Sequence, residues 1–426
     1  MFNNLKQIFS STNKDLRKRI YFTLIVLTIF CIGTNITVPG AASITKELGF
    51  LELLNLMAGG SLKNFSIFAL GVTPYITASI ITQILTMDAI GIPYFKDMKE
   101  EGYTGKQKIN KITRYLGILF AFVQGYAFSV AFLGSTSTLL ILKTTIFLTA
   151  GTAFLLWLGD QITAKGIGNG LSLLIMAGII QTMPSMFVTA FNGLVPTDGT
   201  GSMYLGILFF ALFVLIYLGI VVGVIFIQEA ERRVPIQYSN RTNSAYGARQ
   251  SFLPIKINSA NVIPVIFAST LISIPSTIAQ LSGKEGFSNF VNSYINYTTP
   301  TGFALYVLLI FFFGYFWTFM TLNPEEMSKN LNNNGGYIPG VRPGSETSSY
   351  ISNVLSKLTI VGTLFLVVIA ALPIIFSKLS DLGNTVTIGG TGLLIVVGVA
   401  IETYKQLESS LVSRSYKRRP KRIWKI

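Results

Sequence analysis

The sequence contains no histidine and a single cysteine among its 426 residues. Without histidine the chain has no His-ligated metal site, no Ser–His catalytic pair and no histidine proton relay. The one cysteine, Cys31, lies inside an apolar stretch and has no second thiol with which to form an intrachain disulfide. These absences argue against catalysis, and we expect neither an enzyme nor a bound metal or cofactor.

Charged residues are also scarce. They make up 12% of the chain, whereas apolar residues make up 50%. A soluble domain carries about a quarter charged residues, so this composition predicts a membrane protein. A membrane-spanning helix needs about 20 apolar residues, and the sequence offers ten such stretches. The predicted spans are residues 20–38, 65–85, 115–134, 139–158, 171–190, 204–227, 258–279, 302–322, 354–376 and 385–403.

The basic residues are sorted along the chain. Of the 33 lysines and arginines, all but five lie in the two terminal segments and in alternate loops between the spans. Basic residues are retained in the cytoplasm during insertion, so we expect both termini and the long loops to be cytosolic, with an even number of spans. The net charge of +15 then reflects orientation and attraction to anionic lipids rather than a nucleic-acid substrate. The five exceptions are Lys46, Lys63, Lys143, Lys284 and Lys378.

The spans contain few ionisable residues, and those that occur lie near the ends of the spans. A secondary transporter that couples ions to a small solute usually places such residues near the midplane. The composition therefore favours a pore that does not select one small solute. A transporter remains an alternative, and an intramembrane enzyme is a weaker one because it requires a catalytic pair or metal ligands.

Two local features interrupt this simple pattern. Residues 51–64 are apolar but too short to cross a bilayer, and they include the pair Gly59–Gly60, which predicts a re-entrant or an interfacial helix. Pro74 and Pro264 fall inside spans two and seven, where each proline is expected to interrupt its helix. These two spans are equivalent if spans 1–5 and 6–10 form inverted halves, which points to a pathway between the halves. Proline is also common in membrane helices, so this match alone does not establish the pathway.

Two polar loops have the character of docking sites. Arg232 and Arg233 lie just beyond span six, and Arg342 lies between Pro339 and Pro343 in a stiff turn. Arginine presents a planar fork of donors that suits carboxylates and phosphates. Solvated cytosolic charge is the plainer explanation for residues such as Lys329, and it explains the rigid presentation of Arg342 less well.

Several long motifs, in order along the chain, resemble the SecY family, the channel-forming subunits of the bacterial protein translocase. The matching runs are SIFALGVTPYITASI (66–80), KINKITRY (108–115), FLLWLGDQITAKGIGNGLSLLI (154–175), IQEAERRVPIQY (227–238), NVIPVIFAS (261–269), YIPGVRPG (337–344) and GGTGLLIVV (389–397).

The resemblance implies an all-α polytopic membrane protein with ten spans, in two inverted five-helix halves around a central pore. The halves would be residues 1–190, which include a plug at about 51–64, and residues 191–426, with cytosolic loops 228–257 and 323–352 and a basic tail. An aliphatic ring would seal the pore, and a lateral gate would open between spans two and seven. The implied ring residues are Val72, Ile76, Leu171, Ile175, Ile266 and Ile395. The implied plug residues are Leu53, Leu54, Leu56, Met57, Gly59 and Gly60. The expected gate residues are Pro74, Thr77, Gln83, Gln124, Asn261 and Pro264.

By the same resemblance, the expected partners are small SecE- and SecG-type membrane subunits, the SecA ATPase, the ribosome and preproteins with signal sequences. Arg232, Arg233 and Arg342 would bind SecA and the ribosome. The expected location is the bacterial plasma membrane, where the channel would move unfolded preproteins outward and release apolar segments into lipid. An accessory translocon that serves a restricted set of substrates is an alternative.

Overall fold

A computed structural model describes residues 14–39, 55, 58–62, 64–86, 93–133, 137–195, 203–238, 251–282, 285–296, 299–380 and 389–417. Most of these residues are helical. The helices are α1 Lys14–Gly33, α2 Thr73–Leu85, α3 Pro93–Glu100, α4 Tyr103–Leu133, α5 Thr138–Lys165, α6 Gly170–Leu194, α7 Met203–Glu229, α8 Ile263–Ser282, α9 Glu285–Phe290, α10 Pro300–Thr321, α11 Pro324–Asn333, α12 Ser345–Ser380 and α13 Gly389–Lys417. A π-helical turn at Val291–Ile295 follows α9.

Each predicted span overlaps one of these helices, namely α1, α2, α4 to α8, α10, α12 and α13. Among the described residues, five segments are long and apolar enough to cross a membrane, judged by length and composition alone. They are Thr138–Lys165, Gly170–Leu194, Met203–Glu229, Pro300–Asn333 and Ser345–Leu372. The chain is therefore a multi-pass membrane protein. Two helices also extend beyond their predicted spans: α4 begins at Tyr103 and α12 at Ser345, so both carry polar turns outside the apolar segment.

The prediction that Pro74 and Pro264 interrupt their helices is wrong. Helix α2 begins at Thr73 and α8 at Ile263, which places both prolines in the first helical turn. The first N–H groups of a helix have no intrahelical acceptor, so a proline there removes no hydrogen bond, and its fixed φ suits the helix. Prolines that do lie within described helices include Pro184 in α6 and Pro275 in α8.

The loop predicted at 228–257 contains strands, which corrects the all-α expectation locally. Strand β1 covers Glu231–Tyr238 and pairs with β2, Ser251–Lys256, in antiparallel register from Glu231↔Lys256 to Ile236↔Ser251. Strand β3, Gly336–Tyr337, pairs with the end of β1, so the order is β2-β1-β3. The buried side chains of this small sheet pack against α11 and the start of α12. The buried residues shared by the sheet, the turn after β3 and α12 are Val234, Ile255, Ile338, Ile351 and Leu355.

The chain forms two compact units. The first is drawn from residues 1–189, 276–288 and 395–426, and the second from 190–275 and 289–394. In the first unit, α4 packs against both α2 and α5. Gly117 of α4 lies against Tyr75, and Thr82 and Thr113 join α2 to α4 through a buried 2.9 Å hydrogen bond between their hydroxyls. The chain segment before α2 completes this core.

Candidate functional site

The segment before α2 is irregular in backbone and deeply buried. Gly59, Gly60 and Gly71 have φ of +72°, +76° and +55°, a region open to glycine and strained for most side chains. A Cβ on Gly59 would lie 3.2 Å from the Cα of Gly178 in α6. The segment therefore passes close to α6 at a point where only glycine fits without adjustment. The other predicted plug residues, Leu53, Leu54, Leu56 and Met57, lie outside the described residues.

The approaches to α2 and α8 share a local structure that the sequence analysis missed. Gly71 and Asn261, each three residues before the proline of its helix, have φ of +55° and +56°. After each comes a buried valine whose carbonyl accepts hydrogen bonds from the N–H groups three and four residues later. These distances are 3.1 Å at Val72 and 3.2 Å at Val262. The shared signal is Gly/Asn-Val-x-Pro, because glycine and asparagine are the residues that most readily adopt positive φ.

The predicted ring residues are divided between the two units. Ile266 belongs to the second unit and the other five to the first. Val72, Ile175 and Ile395 are buried, whereas Ile76, Leu171 and Ile266 are half-buried. Val72 directly precedes α2, and Leu171 and Ile175 lie one turn apart on α6. Each residue has an aliphatic side chain and lies directly before its helix or within the first two turns of it. The ring itself stays a prediction.

The predicted gate residues lie on three helices. Pro74, Thr77 and Gln83 belong to α2. Thr77 is buried and its hydroxyl donates to the carbonyl of Thr73, while the Gln83 amide donates to Ser79 Oγ at 2.9 Å. Gln83 Oε1 is buried and accepts no hydrogen bond from the described residues. Gln124 is half-buried on α4, which packs along α2, and Asn261 and Pro264 form the entry to α8.

The predicted docking arginines are exposed on the small sheet and the turn that follows it. Arg232 and Arg233 lie on β1, where Arg233 Nε is 2.8 Å from the carboxylate of Glu231. The ion pair with Glu231 partly neutralises Arg233. Two-thirds of the Arg233 side chain nevertheless stays exposed to solvent. Within the described part of the chain, Arg232 has no ion-pair partner, which leaves its guanidinium for another molecule.

Arg342 is held at the tip of a buttressed turn. Its carbonyl accepts a 2.8 Å hydrogen bond from Thr347 Oγ1 of α12, and Ser328 Oγ of α11 donates to the Gly344 carbonyl at 2.8 Å. Gly340 and Gly344 have φ of +82° and +107°, which the turn requires. Two helices thus fix the backbone while the arginine side chain stays exposed.

Two ion pairs that the sequence analysis missed lie at the cytosolic side of α4 in the predicted topology. Arg114 pairs with Asp160 of α5 at 2.8 Å, and Lys108 pairs with Glu101 at 2.8 Å. The hydrogen bond from Lys108 to Glu101 raises the pKa of the lysine, as expected for an ammonium beside a carboxylate. Both pairs are exposed, so they orient side chains more than they stabilise the fold. Among the described residues, no group of three acidic, Cys or His side chains could hold a metal ion.

Comparison with known proteins identifies relatives along nearly the whole chain. Residues 66–404 match the SecY family. The protein translocase subunit SecY of Halalkalibacterium halodurans is 45% identical over 98% of this chain and 99% of its own length. The protein translocase subunit SecY of Bacillus subtilis is 44% identical over 95% of this chain and 96% of its own length.

Solved structures support the same fold. The structure of a protein conducting channel matches with a TM-score of 0.66 at 22% identity, covering 95% of each chain. Sec61 in the canine ribosome-channel complex from the endoplasmic reticulum matches with a TM-score of 0.62, also at 22% identity and 95% of each chain. These matches confirm the predicted helical membrane fold.

Proposed function

Because this chain belongs to the SecY family of protein translocase subunits, we propose that it forms a channel for unfolded preproteins. The observation that carries this proposal is the 45% identity to a translocase subunit across 98% of the chain. A match of that length leaves little of the chain for a different activity. The absence of histidine and the scarcity of charges in the apolar segments agree with transport rather than catalysis.

The proposed channel lies between two five-helix halves, residues 1–190 and 191–426. Val72, Ile76, Leu171, Ile175, Ile266 and Ile395 would form its constriction. An aliphatic constriction offers water no hydrogen-bond partner and therefore tends to dewet, which blocks ions when no polypeptide is present. The same lack of polar groups lets different side chains pass without specific binding, so tolerance of sequence follows from the chemistry of the ring.

The plug would thicken this seal. It comprises residues 51–64 in this proposal, and its described end packs against α6 through Gly59. The pair Gly59–Gly60 gives the plug a flexible connection, since glycine moves between positive and negative φ at little cost. A translocating chain would push the plug aside about this connection.

Sideways release would occur between α2 and α8, at Pro74, Thr77, Gln83, Asn261 and Pro264, with Gln124 on the helix behind α2. A segment facing this opening partitions between pore water and lipid. Leucine and similar residues gain ~0.3–0.6 kcal/mol each at mid-bilayer, whereas a central arginine costs ~2.5–3.5 kcal/mol. About twenty apolar residues therefore gain ~6–12 kcal/mol and enter the lipid, while polar segments continue outward.

The driving force must come from partners, because the sequence has no phosphate-binding loop. We place Arg232, Arg233 and Arg342 at the docking surface for the SecA ATPase and the ribosome, since these side chains are exposed at the edge of the small sheet. One solved relative is Sec61 in a ribosome-channel complex. SecE- and SecG-type subunits and anionic lipids complete the proposed assembly, in the bacterial plasma membrane with both termini cytosolic.

Reconstitution tests the proposed function. Vesicles that contain this chain with its small membrane subunits, supplied with SecA and ATP, should render a preprotein resistant to added protease. A preprotein without its signal sequence is the matched control and should stay sensitive to the protease. Vesicles that never protect the preprotein, although the complex is assembled, would contradict the proposal.

A further inference from the structure

Two buried serines hydrogen-bond to backbone groups of the segment that joins the proposed plug to α2. Ser61 and Ser66 are both 0% exposed. The Ser66 N–H donates to the Ser61 carbonyl at 2.9 Å, Ser61 Oγ donates to the Phe68 carbonyl at 2.9 Å, and the Phe68 N–H donates to Ser66 Oγ at 3.2 Å. We name these three hydrogen bonds the serine clasp. Because backbone groups at membrane depth have no water available, the clasp satisfies groups that would otherwise be costly to bury.

The clasped segment is also fixed to its surroundings. Val38 N donates to the Phe65 carbonyl and Ile67 N to the Ile36 carbonyl, both at 3.0 Å, which tie it to the chain after α1. The Phe68 ring stacks between Phe30 of α1 and Phe154 of α5, with each pair of centroids 6.1 Å apart. Residues 61–62 and 64–68 are therefore held by α1, the chain that follows it and α5, as well as by their own hydrogen bonds.

Glycines with positive φ stand on both sides of this fixed segment. Gly59 and Gly60 precede it, and Gly71 follows it, immediately before Val72 and α2. A Cβ on Gly71 would lie only 3.1 Å from the Cβ of Ala58, so the two ends of the segment approach each other. Backbone rotation is easiest at these glycines and hardest in the clasped residues between them.

We propose that the clasped segment, residues 61–62 and 64–68, forms a stationary anchor for gating. Only the part of the plug that precedes Gly59–Gly60 pivots, at these two glycines, while the serine clasp keeps the anchor on α1 and so holds Val72 in its closed position. This inference rests on the proposed function, because it assumes that the plug and the ring act in a polypeptide channel. Ser61 and Ser66 are positioning residues in it, since they act on the ring through the backbone of Phe68.

A disulfide tests whether the anchor is stationary. Thr37 and Ser66 face each other in an antiparallel bridge. The flanking bonds make them a non-hydrogen-bonded pair, whose Cα atoms lie about 4.5 Å apart, within disulfide range. Because Ser66→Cys also removes one clasp hydroxyl, the comparison is made within a single variant: Thr37→Cys with Ser66→Cys, in a Cys31→Ser background, should transport preprotein at the same rate oxidised as reduced. Loss of transport on oxidation, reversed by reductant, would show that the anchor must move and would overturn the inference.

Removal of the clasp tests its role in the seal. Ser61→Ala combined with Ser66→Ala should raise the ion leak of the idle reconstituted translocase about tenfold, as expected when a buried hydrogen bond is lost. Ser129→Ala is the matched control, because Ser129 is equally buried but bonds outside the clasp: its hydroxyl donates to Gly125 within α4 and accepts a 3.5 Å hydrogen bond from Thr145 of α5. A double variant as tight as the control would refute the clasp. Failure of the unmodified translocase to transport would instead refute the proposed function.

Discussion

At the residue scale, Arg342 combines exposure with a fixed backbone. Its carbonyl is bonded by Thr347, and the turn is tied to α11 through Ser328. A flexible loop arginine loses conformational freedom on binding, whereas this one has already lost much of it. That difference is the physical reason to assign a partner to Arg342 and solvated charge to a residue such as Lys329.

Charge reversal at Arg342 tests this assignment. Arg342→Glu should abolish SecA-driven transport, because it replaces a donor fork with a repelling carboxylate. The measurement is protease protection of a preprotein in reconstituted vesicles. Lys329→Glu is the matched control, since it makes the same kind of charge change on exposed α11 and should leave transport nearly unchanged. Normal transport by the Arg342→Glu complex, correctly assembled, would remove this arginine from the docking surface.

Gly71 and Asn261 show how much of a site a single residue can indicate. Both adopt positive φ before a Val-x-Pro sequence, and both lie two residues before the start of a helix of the proposed gate. The prolines were noticed from the sequence, but they were interpreted as interruptions. The residue three positions earlier carries the better signal, because positive φ is uncommon outside glycine and asparagine.

At the element scale, hydropathy located all ten predicted segments on helices and misplaced several of their ends. The apolar stretch 65–85 includes residues 65–72, which form turns, and α2 begins only at Thr73. Both parts of the stretch are equally apolar, so composition could not separate them. The hydrogen bonds of Ser61 and Ser66 hold the backbone before α2 in turns, and composition does not reveal those bonds.

The small sheet could not be predicted from its strands alone. Pro235 and Pro254 each remove a backbone donor, which makes β1 and β2 resemble loops in sequence. Strand β3 has two residues and pairs with a strand that lies about a hundred positions earlier. The alternation of Val234 and Ile236 with exposed neighbours is the one local sign of a strand.

Cross-linking tests the proposed gate at this scale. Single cysteines placed on α2 and α8, in a Cys31→Ser background, should form a disulfide in the closed channel, and that bond should stop sideways release and secretion. Reduction should restore both. The matched control pairs the same α8 cysteine with one at Leu212, which is exposed on the apolar helix α7. Cross-linking of the gate pair that leaves secretion intact would exclude the gate.

At the scale of the whole molecule, the sequence revealed the class of protein better than it revealed the pore. Scarce charge, sorted basic residues and ten apolar segments are properties of the entire chain, so they survive errors at single positions. An aliphatic residue that lines a pore has the same side chain as one that packs against another helix. The two differ only in their surroundings in the folded protein. Ile76 and Ile175 are aliphatic like dozens of others, and their assignment came from resemblance to a family.

A translocating polypeptide can report directly on the proposed ring. A photo-activated cross-linker placed singly at Ile76 or Ile175 should form adducts with a preprotein arrested during transport. The same cross-linker at Leu212 of α7, which is 51% exposed in the apolar part of that helix, should react with lipid instead. The account predicts preprotein adducts at the ring positions and none at Leu212. An arrested preprotein that cross-links to neither ring position would contradict it.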